Sequence, residues 1–138
     1  MAQTILITGA SSGLGAGMAR EFAARGYDLA LCARRLDRLA QLQQELQAAH
    51  GVRVEIASLD VNDYDQVFVV FRDFAQRFGV LDRIIVNAGV GEGRRIGTGH
   101  FETNRQTAQT NFIAALAQCE AAVEIFRKQK SGHLVIIS

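Results

Sequence analysis

The feature that most constrains this sequence is a glycine-rich turn between a short apolar run and an amphipathic segment. The turn reads Thr8-Gly9-Ala10-Ser11-Ser12-Gly13-Leu14-Gly15 and directly follows Ile5-Leu6-Ile7. This order predicts a β-strand that enters an α-helix through glycines. The first amides of such a helix lack partners within it, so these amides and the positive end of the helix dipole suit a pyrophosphate. The turn therefore predicts a dinucleotide site formed by Gly9, Ser11, Ser12, Gly13, Leu14 and Gly15.

Each glycine of the turn has its own predicted role. Gly9 allows the tight turn, Gly13 lets the backbone approach the phosphates, and Gly15 lets the helix pack closely on the strand. The spacing GxxxGxG differs from the more common fingerprint GxGxxG. A merely flexible turn is the alternative interpretation, but the position between a β-type and a helix-type run favours the binding site.

Composition limits the class of protein and of ligand. The 138 residues are 49% hydrophobic and 21% charged with a net charge of +1, which predicts a single domain, residues 1–138, with a buried core. This charge gives no reason to expect nucleic acid or an anionic membrane as a partner. No apolar run approaches the roughly 20 residues that cross a bilayer, and no signal peptide is recognisable. We expect a cytoplasmic protein with a small-molecule ligand.

Strand-like runs alternate with helical periodicity along the whole chain. The runs are residues 5–7, 29–33, 52–57, 84–86 and 134–137, and their alternation predicts an α/β fold. With right-handed crossovers, we expect a doubly wound Rossmann-type parallel sheet in the order 3-2-1-4-5. Stripes at helical spacing are expected to face the core: Leu36, Leu39, Leu42 and Leu46; Val67, Val70, Phe71, Phe74 and Phe78; Phe112, Leu116, Cys119, Val123 and Phe126.

The third and fifth strands differ in pattern. Residues 52–56 alternate between apolar and polar, as suits a sheet edge, whereas residues 134–137 are continuously apolar and suit a strand with a neighbour on each side. The order 3-2-1-4-5 leaves the fifth strand exposed, and an apolar edge favours aggregation. We therefore expect a domain truncated after its fifth strand, which lacks C-terminal strands and helices.

Four motifs in order resemble the short-chain dehydrogenase/reductase family. The first is the glycine turn. The others are Leu59-Asp60-Val61, which follows the third predicted strand, Asn87-Ala88-Gly89, which follows the fourth, and Asn111 in the next predicted helix. The resemblance implies that Asp60 accepts a hydrogen bond from the adenine amino group beside the backbone of Val61. It also implies that Asn87, Ala88 and Gly89 line the ribose. A turn or helix cap is the alternative role for both segments, and Val86 departs from a common family asparagine.

The residues about 20 positions beyond the turn predict the choice of coenzyme, since an acid there selects a free ribose and a base accepts a 2′-phosphate. Here they are Ala33-Arg34-Arg35. Guanidinium groups match phosphate in charge and geometry, so Arg34 and Arg35 favour NADP(H) over NAD(H). The alternative is that both arginines are solvated at the start of a helix, where Asp37 is a first-turn acid.

The resemblance also implies hydride transfer between nicotinamide and an alcohol or carbonyl substrate. In the family a serine polarises the substrate oxygen, and the motif YxxxK supplies a tyrosine as general acid and base and a lysine that lowers the pKa of this tyrosine. This chain has no YxxxK, since Tyr27 is followed four residues later by Leu31 and Tyr64 by Phe68. Asn111 matches the family asparagine that holds a water in the proton relay. Ser138 lies at or next to the position of the catalytic serine.

Three functions therefore stay open. The first is an NADP(H)-dependent oxidoreductase, and the second is a non-catalytic nucleotide-binding fragment without the tyrosine and lysine. A methyltransferase, whose adenosylmethionine site also uses a glycine-rich turn, is a more distant alternative. No metal is expected, because Cys32 and Cys119 lack metal-type spacing.

Two further expectations concern contacts. The resemblance implies a homodimer or homotetramer, formed through a long helix at about residues 103–130. Residues 91–100 contain four glycines and predict a loop. Through Arg94 or Arg95 this loop would either contact an anionic substrate group or serve only as a linker.

Overall fold

Strands and helices alternate along the chain, as its hydrophobic periodicity predicts. The structure is a computed structural model that describes residues 2–89 and 93–138. Its elements are β1 (Thr4–Thr8), α1 (Gly13–Ala24), β2 (Asp28–Ala33), α2 (Leu36–His50), β3 (Val54–Ser58), α3 (Tyr64–Phe78), β4 (Arg83–Val86), α4 (Phe101–Ala108), a π-helical turn (Gln109–Ile113), α5 (Ala114–Gln129) and β5 (His133–Ile136). In the predicted loop, Gly91 and Glu92 lie outside the described residues.

The five strands form one parallel sheet in the order β3-β2-β1-β4-β5. This confirms the predicted doubly wound Rossmann-type order. Strand β1 lies at the centre, where Leu6 pairs with Ala30 of β2 on one side and with Ile84 of β4 on the other. Every residue of β1 is buried, as expected for a parallel strand covered on both faces.

Helices cover both faces of the sheet because successive side chains of β1 point to opposite sides. Ile5 and Ile7 pack with α1 and α2, in a cluster that includes Ala19 and Leu39. Leu6 faces the other way and belongs to the cluster of α3 and α5. The site described below lies at the edge of this sandwich, where the strands end.

Local sequence explains several helix ends. The carboxylate of Asp63 accepts a hydrogen bond from the amide of Gln66 at 3.4 Å and so caps the start of α3. Helices α2 and α3 end at Gly51 (φ 66°) and Gly79 (φ 81°), whose positive φ favours glycine. These caps fix where the chain leaves each helix to enter the next strand.

The predicted core stripes are confirmed on two helices and wrong on the third. Leu39, Leu42 and Leu46 of α2 and Val67, Val70, Phe71 and Phe74 of α3 are buried, whereas Leu36 at the start of α2 is exposed and Phe78 is half-buried. On α5 the stripe lies largely outside the core: Phe112 is 69% exposed, Leu116 51% and Val123 41%, while Cys119 and Phe126 are half-buried. The buried face of α5 instead consists of Ala114, Gln118, Ala121, Ala122 and Ile125.

Three of these five buried residues are alanines, because α5 packs closely on α3 and the sheet and leaves little room between them. Sequence periodicity could not separate the two faces, since both carry apolar residues at helical spacing. The π-helical turn adds to the difference, because a turn with i→i+5 bonding changes the rotation of the side chains that follow it. This changes the position of Phe112 relative to the rest of the stripe, whose other members lie within α5 itself.

The two outer strands of the described sheet are β3 and β5. The edge position predicted for the third strand is confirmed. Among the described residues β5 pairs only with β4 and has no second neighbour, contrary to its continuously apolar pattern. Ile136 is 54% exposed and Ile137 37% exposed as a result. None of the helices in the described part of the chain is long and apolar enough to span a membrane.

Candidate functional site

A large cleft lies where the strands β1 to β4 end, and its volume is about 1140 Å³. Parallel strands bring their carboxyl ends to one edge, and the order of the sheet reverses between β1 and β4, where such folds bind ligands. The cleft is lined by Gly9, Ser11, Ser12, Leu14, Arg34, Arg35, Asp60, Val61, Asn87, Ala88 and Gly89. The structure thus brings together all the predicted cofactor residues except Gly13 and Gly15. These two glycines lie on either side of Leu14 in the glycine turn but do not line the cleft themselves.

The glycine turn has the geometry expected of an anion cradle. Gly9 and Gly13 have φ values of +63° and +56°, which disfavour other residues. A Cβ at Gly13 would meet no atom within 4 Å, so the backbone there borders open space. Helix α1 has no acidic residue in its first turn, and the Ser12 side chain makes no capping bond. Its first amides are therefore available to a phosphate.

Gly15 is required for a different reason. A Cβ at this position would lie 2.2 Å from the carbonyl oxygen of Gly9 and 2.8 Å from Nδ2 of Asn87. This confirms the predicted close packing of the helix on the strand.

The turn is tied to the end of β4 by a buried hydroxyl and a side-chain amide. Oγ1 of Thr8, which is fully buried, accepts hydrogen bonds from the amides of Asn87 (2.9 Å) and Ala88 (3.1 Å) and donates one to the carbonyl of Ile85. Nδ2 of Asn87 donates to the carbonyls of Thr8 (3.2 Å) and Gly9 (3.3 Å). The two sides of the cleft are therefore held in fixed register at the sheet reversal.

Asp60 lies at a tight turn after β3. Its Oδ1 accepts a hydrogen bond from the amide of Asn62 at 3.0 Å, and its carbonyl accepts one from the amide of Asp63. This is the turn role that the sequence left open. The residue also lines the cleft beside the buried Val61, so the turn presents a carboxylate to the space that a ligand would fill.

The two predicted arginines are placed alike but bonded differently. Both line the cleft and are exposed. Nε and Nη2 of Arg35 donate to the two carboxylate oxygens of Asp37, at 3.1 and 2.9 Å. The Arg35 guanidinium lowers the pKa of Asp37, mainly through these hydrogen bonds, and the carboxylate raises the pKa of Arg35. Sequence reasoning missed Arg38, which lines the same cleft and lies one helical turn beyond Arg34.

Asn111 lies in the π-helical turn, which neighbouring segments hold in place. Oγ1 of Thr110 accepts a hydrogen bond from Nδ2 of Asn62 at 2.9 Å, and Nε2 of Gln109 donates to the hydroxyl of Tyr64 at 3.4 Å. The Oδ1 atom of Asn111 would lie 2.8 Å from a Cβ at Gly89, so the absence of a side chain at Gly89 makes room for it. Neither predicted catalytic residue lines the cleft itself. Asn111 lies against Gly89, which does line it, whereas the exposed Ser138 lies beyond β5.

Two further kinds of chemistry, metal binding and a cysteine nucleophile, can be compared with the described residues. No cluster of three or more His, Cys, Asp or Glu side chains suited to a metal ion occurs there. Cys32 lines the cleft but is buried, and this burial raises the pKa of its thiol to about 12. A neutral thiol is a poor nucleophile, so Cys32 contributes a small apolar surface.

Comparison with known proteins gives consistent results. The family model described as short chain dehydrogenase matches residues 3–138. An uncharacterized oxidoreductase of Mycobacterium tuberculosis (strain ATCC 25618 / H37Rv) is 55% identical over 137 residues, which are 99% of this chain and 54% of that protein. The chain thus spans about half the length of this curated relative.

Two solved structures resemble the chain closely. One is the alcohol dehydrogenase of Thermococcus sibiricus complexed with 5-hydroxy-NADP, with a TM-score of 0.90 and 32% identity over 98% of this chain and 57% of that one. The other is a short-chain dehydrogenase of Sphingobium yanoikuyae in complex with NADPH, with a TM-score of 0.86 and 33% identity over 99% of this chain and 53% of that one.

Proposed function

This chain belongs to the short-chain dehydrogenase/reductase family, and from that premise we propose that it binds NADP(H) and forms the coenzyme-binding part of an oxidoreductase. The observation that carries the proposal is the cleft at the sheet reversal, which is lined by the glycine turn, the Asp60 turn and the segment after β4. Its volume of about 1140 Å³ is at or above the usual range for small-molecule and cofactor sites.

The described residues fit such a coenzyme by their chemistry. The amides around Leu14 would hold the pyrophosphate, because the first turn of α1 offers open N–H groups without a competing acid. Asp60 and Val61 would bind the adenine, and Asn87, Ala88 and Gly89 the ribose. When bound, the coenzyme supplies or accepts a hydride. The arginines at the other end of the cleft support a preference for a 2′-phosphate.

We propose that Asn111 belongs to the catalytic machinery as a residue that orients water, with an alcohol or carbonyl as the substrate of the whole protein. A side-chain amide can donate to one group and accept from another, and the π-helical turn presents Asn111 next to Gly89. A catalytic part for Ser138 rests on the family resemblance alone.

A second candidate is a nucleotide-binding chain without turnover, and its support is the sequence itself. Neither tyrosine has a lysine four residues later. The Tyr27 ring packs edge-on against Phe22 at 5.5 Å between centroids, and the Tyr64 hydroxyl accepts from Gln109. Both tyrosines thus have structural roles in the described residues.

Binding and turnover separate these functions. Calorimetric titration of the purified protein with NADPH, NADH and S-adenosylmethionine should give the tightest binding for NADPH, and tighter NADH than NADPH binding would contradict the arginine argument. Tight binding of adenosylmethionine alone would support a methyltransferase. Oxidation of NADPH with a panel of ketones, measured on the whole protein, then tests catalysis, and coenzyme binding without turnover there favours the second candidate.

We also propose that the chain associates with a second copy through an exposed helix face and that the protein is cytoplasmic. The exposed Phe112, Leu116 and Val123 form an apolar surface on the π-helical turn and α5, which supports association of two copies as a homodimer or within a homotetramer. The cytoplasmic location rests on the sequence alone.

A further inference from the structure

Three arginines line the cleft around the start of α2, but they are not equally available to a ligand. These are Arg34, Arg35 and Arg38. Within the described residues only Arg35 of the three has a salt bridge, to Asp37 at 2.9 Å. The bond is bidentate, because Nε and Nη2 contact different carboxylate oxygens. Two of the donors of Arg35 are therefore already occupied.

The Arg35–Asp37 pair carries no net charge towards an incoming anion. A phosphate that recruits Arg35 must break or share its hydrogen bonds with Asp37, and it meets the repulsion of the carboxylate as well. In the part of the chain that the structure describes, neither Arg34 nor Arg38 pairs with a carboxylate, whereas Arg35 does. The positive potential at this end of the cleft therefore comes mainly from these two side chains.

A second observation concerns Arg38. Together with Ser11 it also lines a smaller pocket of about 290 Å³ between α1 and α2, so this pocket adjoins the main cleft. The pocket is bordered by Arg20 and Glu45, which pair with each other at 2.8 Å. The Glu45 carboxylate is thus neutralised, and Arg38 and Ser11 remain to interact with an anion at the junction of the two spaces.

We propose that Arg34 and Arg38, rather than Arg35, recognise the 2′-phosphate of the coenzyme, and that the Arg35–Asp37 pair limits how strongly the site prefers a 2′-phosphorylated nucleotide. This inference rests on the proposed function. It adds Arg38 as a specificity-determining residue and assigns Asp37 the role of an internal competitor for Arg35. Removal of the Asp37 charge should then strengthen phosphate binding, because Arg35 becomes a third available cation.

The test uses 2′,5′-ADP and 5′-AMP, which differ only in the 2′-phosphate. Calorimetric titration of the full chain suits it, since the sequence has no tryptophan for protein fluorescence. We expect Arg34→Gln and Arg38→Gln each to weaken 2′,5′-ADP binding about tenfold, with 5′-AMP binding within about twofold of wild type. Asp37→Asn should tighten 2′,5′-ADP binding about threefold.

The decisive variant is the charge-neutral double substitution Arg35→Gln/Asp37→Asn. Its affinity for 2′,5′-ADP should stay within about twofold of wild type, because the pair that it removes has no net charge. The single Arg35→Gln is less informative, since it also leaves Asp37 unpaired. Arg25→Gln is the matched control for the single variants Arg34→Gln and Arg38→Gln, because it removes one positive charge as they do. Arg25 pairs with Glu21 away from the cleft, so its replacement should leave both affinities unchanged.

The outcomes distinguish a failure of the arginine assignment from a failure of the proposed coenzyme binding. A double variant that loses as much 2′,5′-ADP affinity as Arg38→Gln, or an Asp37→Asn variant that gains none, overturns the inference. Equal binding of 5′-AMP and 2′,5′-ADP by the wild type also overturns it, but leaves the dinucleotide site standing. Binding of neither nucleotide overturns the proposed function itself.

Discussion

Replacement of Gly15 by alanine tests whether α1 depends on close contact with the glycine turn. In a helix the exchange by itself favours alanine by up to about 1 kcal/mol. A Cβ at Gly15 would lie 2.2 Å from the carbonyl oxygen of Gly9 and 2.8 Å from Nδ2 of Asn87. The junction must open by roughly 1 Å to relieve this overlap, and overpacking of this kind costs about 1–3 kcal/mol. Because the closest atom is backbone, we expect a net loss of about 1–2 kcal/mol in the free energy of unfolding.

Gly17→Ala is the matched control in the same helix. Gly17 is exposed, and a Cβ there would meet no atom within 4 Å, so this variant should gain about 0.5–1 kcal/mol. The two variants then differ by about 1.5–3 kcal/mol, or about 10 °C in Tm for a domain of this size. Thermal and urea unfolding followed by circular dichroism measure the difference. If Gly15→Ala is as stable as Gly17→Ala, the packing argument is wrong.

Three further predictions concern the core, the buried thiol and the exposed helix face. Thr8→Val should cost about 2 kcal/mol in urea unfolding because it leaves the half-buried amides of Asn87 and Ala88 without an acceptor. Thr107→Val, which loses only a bond within α4, should change stability by less than about 1 kcal/mol, and equal effects would contradict the role of Thr8. The raised pKa of Cys32 means that the unfolded thiol ionises first, from its ordinary value of 9.0, so stability should fall between pH 9 and about pH 12 by up to about 1.4 kcal/mol per pH unit. A Cys32→Ala variant with the same pH dependence would exclude this cause. For the proposed association through this face, light scattering should give the wild type the mass of two or four chains and Phe112→Ser with Leu116→Ser the mass of one; a wild type with the mass of one chain, or a variant that stays associated, would contradict this interface.

The sequence was sufficient to predict the sheet because its information there is local and repetitive. Five apolar runs separated by helical stripes allow few topologies once crossovers are right-handed, and the observed order is the expected one. The roles of Gly9 and Gly15 were also predictable, since a strand that enters a helix within a few residues requires a positive φ and close backbone approach. These features depend on neighbours in the chain.

The features that the sequence did not predict depend on distant partners. The π-helical turn at Asn111 has no periodic signature in QTNFI, and it is held by Asn62 and Tyr64, more than forty residues earlier. The buried face of α5 depends on how closely that helix approaches α3, which apolar spacing does not encode. The Arg35–Asp37 pair is local, but Arg34 and Arg38 lie equally near Asp37 in the sequence, so only the structure shows which arginine Asp37 engages.

The bonding of Asn87 connects the fold to the site more directly than the motif alone suggests. Its Nδ2 donates to the carbonyls of Thr8 and Gly9, and its amide donates to the hydroxyl of Thr8. Because the donors of the side-chain amide face the turn, its Oδ1 is the atom that remains for a ligand, and an acceptor suits a ribose hydroxyl better than a phosphate. The residue that ties the turn to the end of β4 is therefore also expected to favour the ribose over a phosphate as its neighbour. The proposed ribose contact and the structural role of Asn87 fall at the same place because the reversal between β1 and β4 is where folds of this kind bind their ligands.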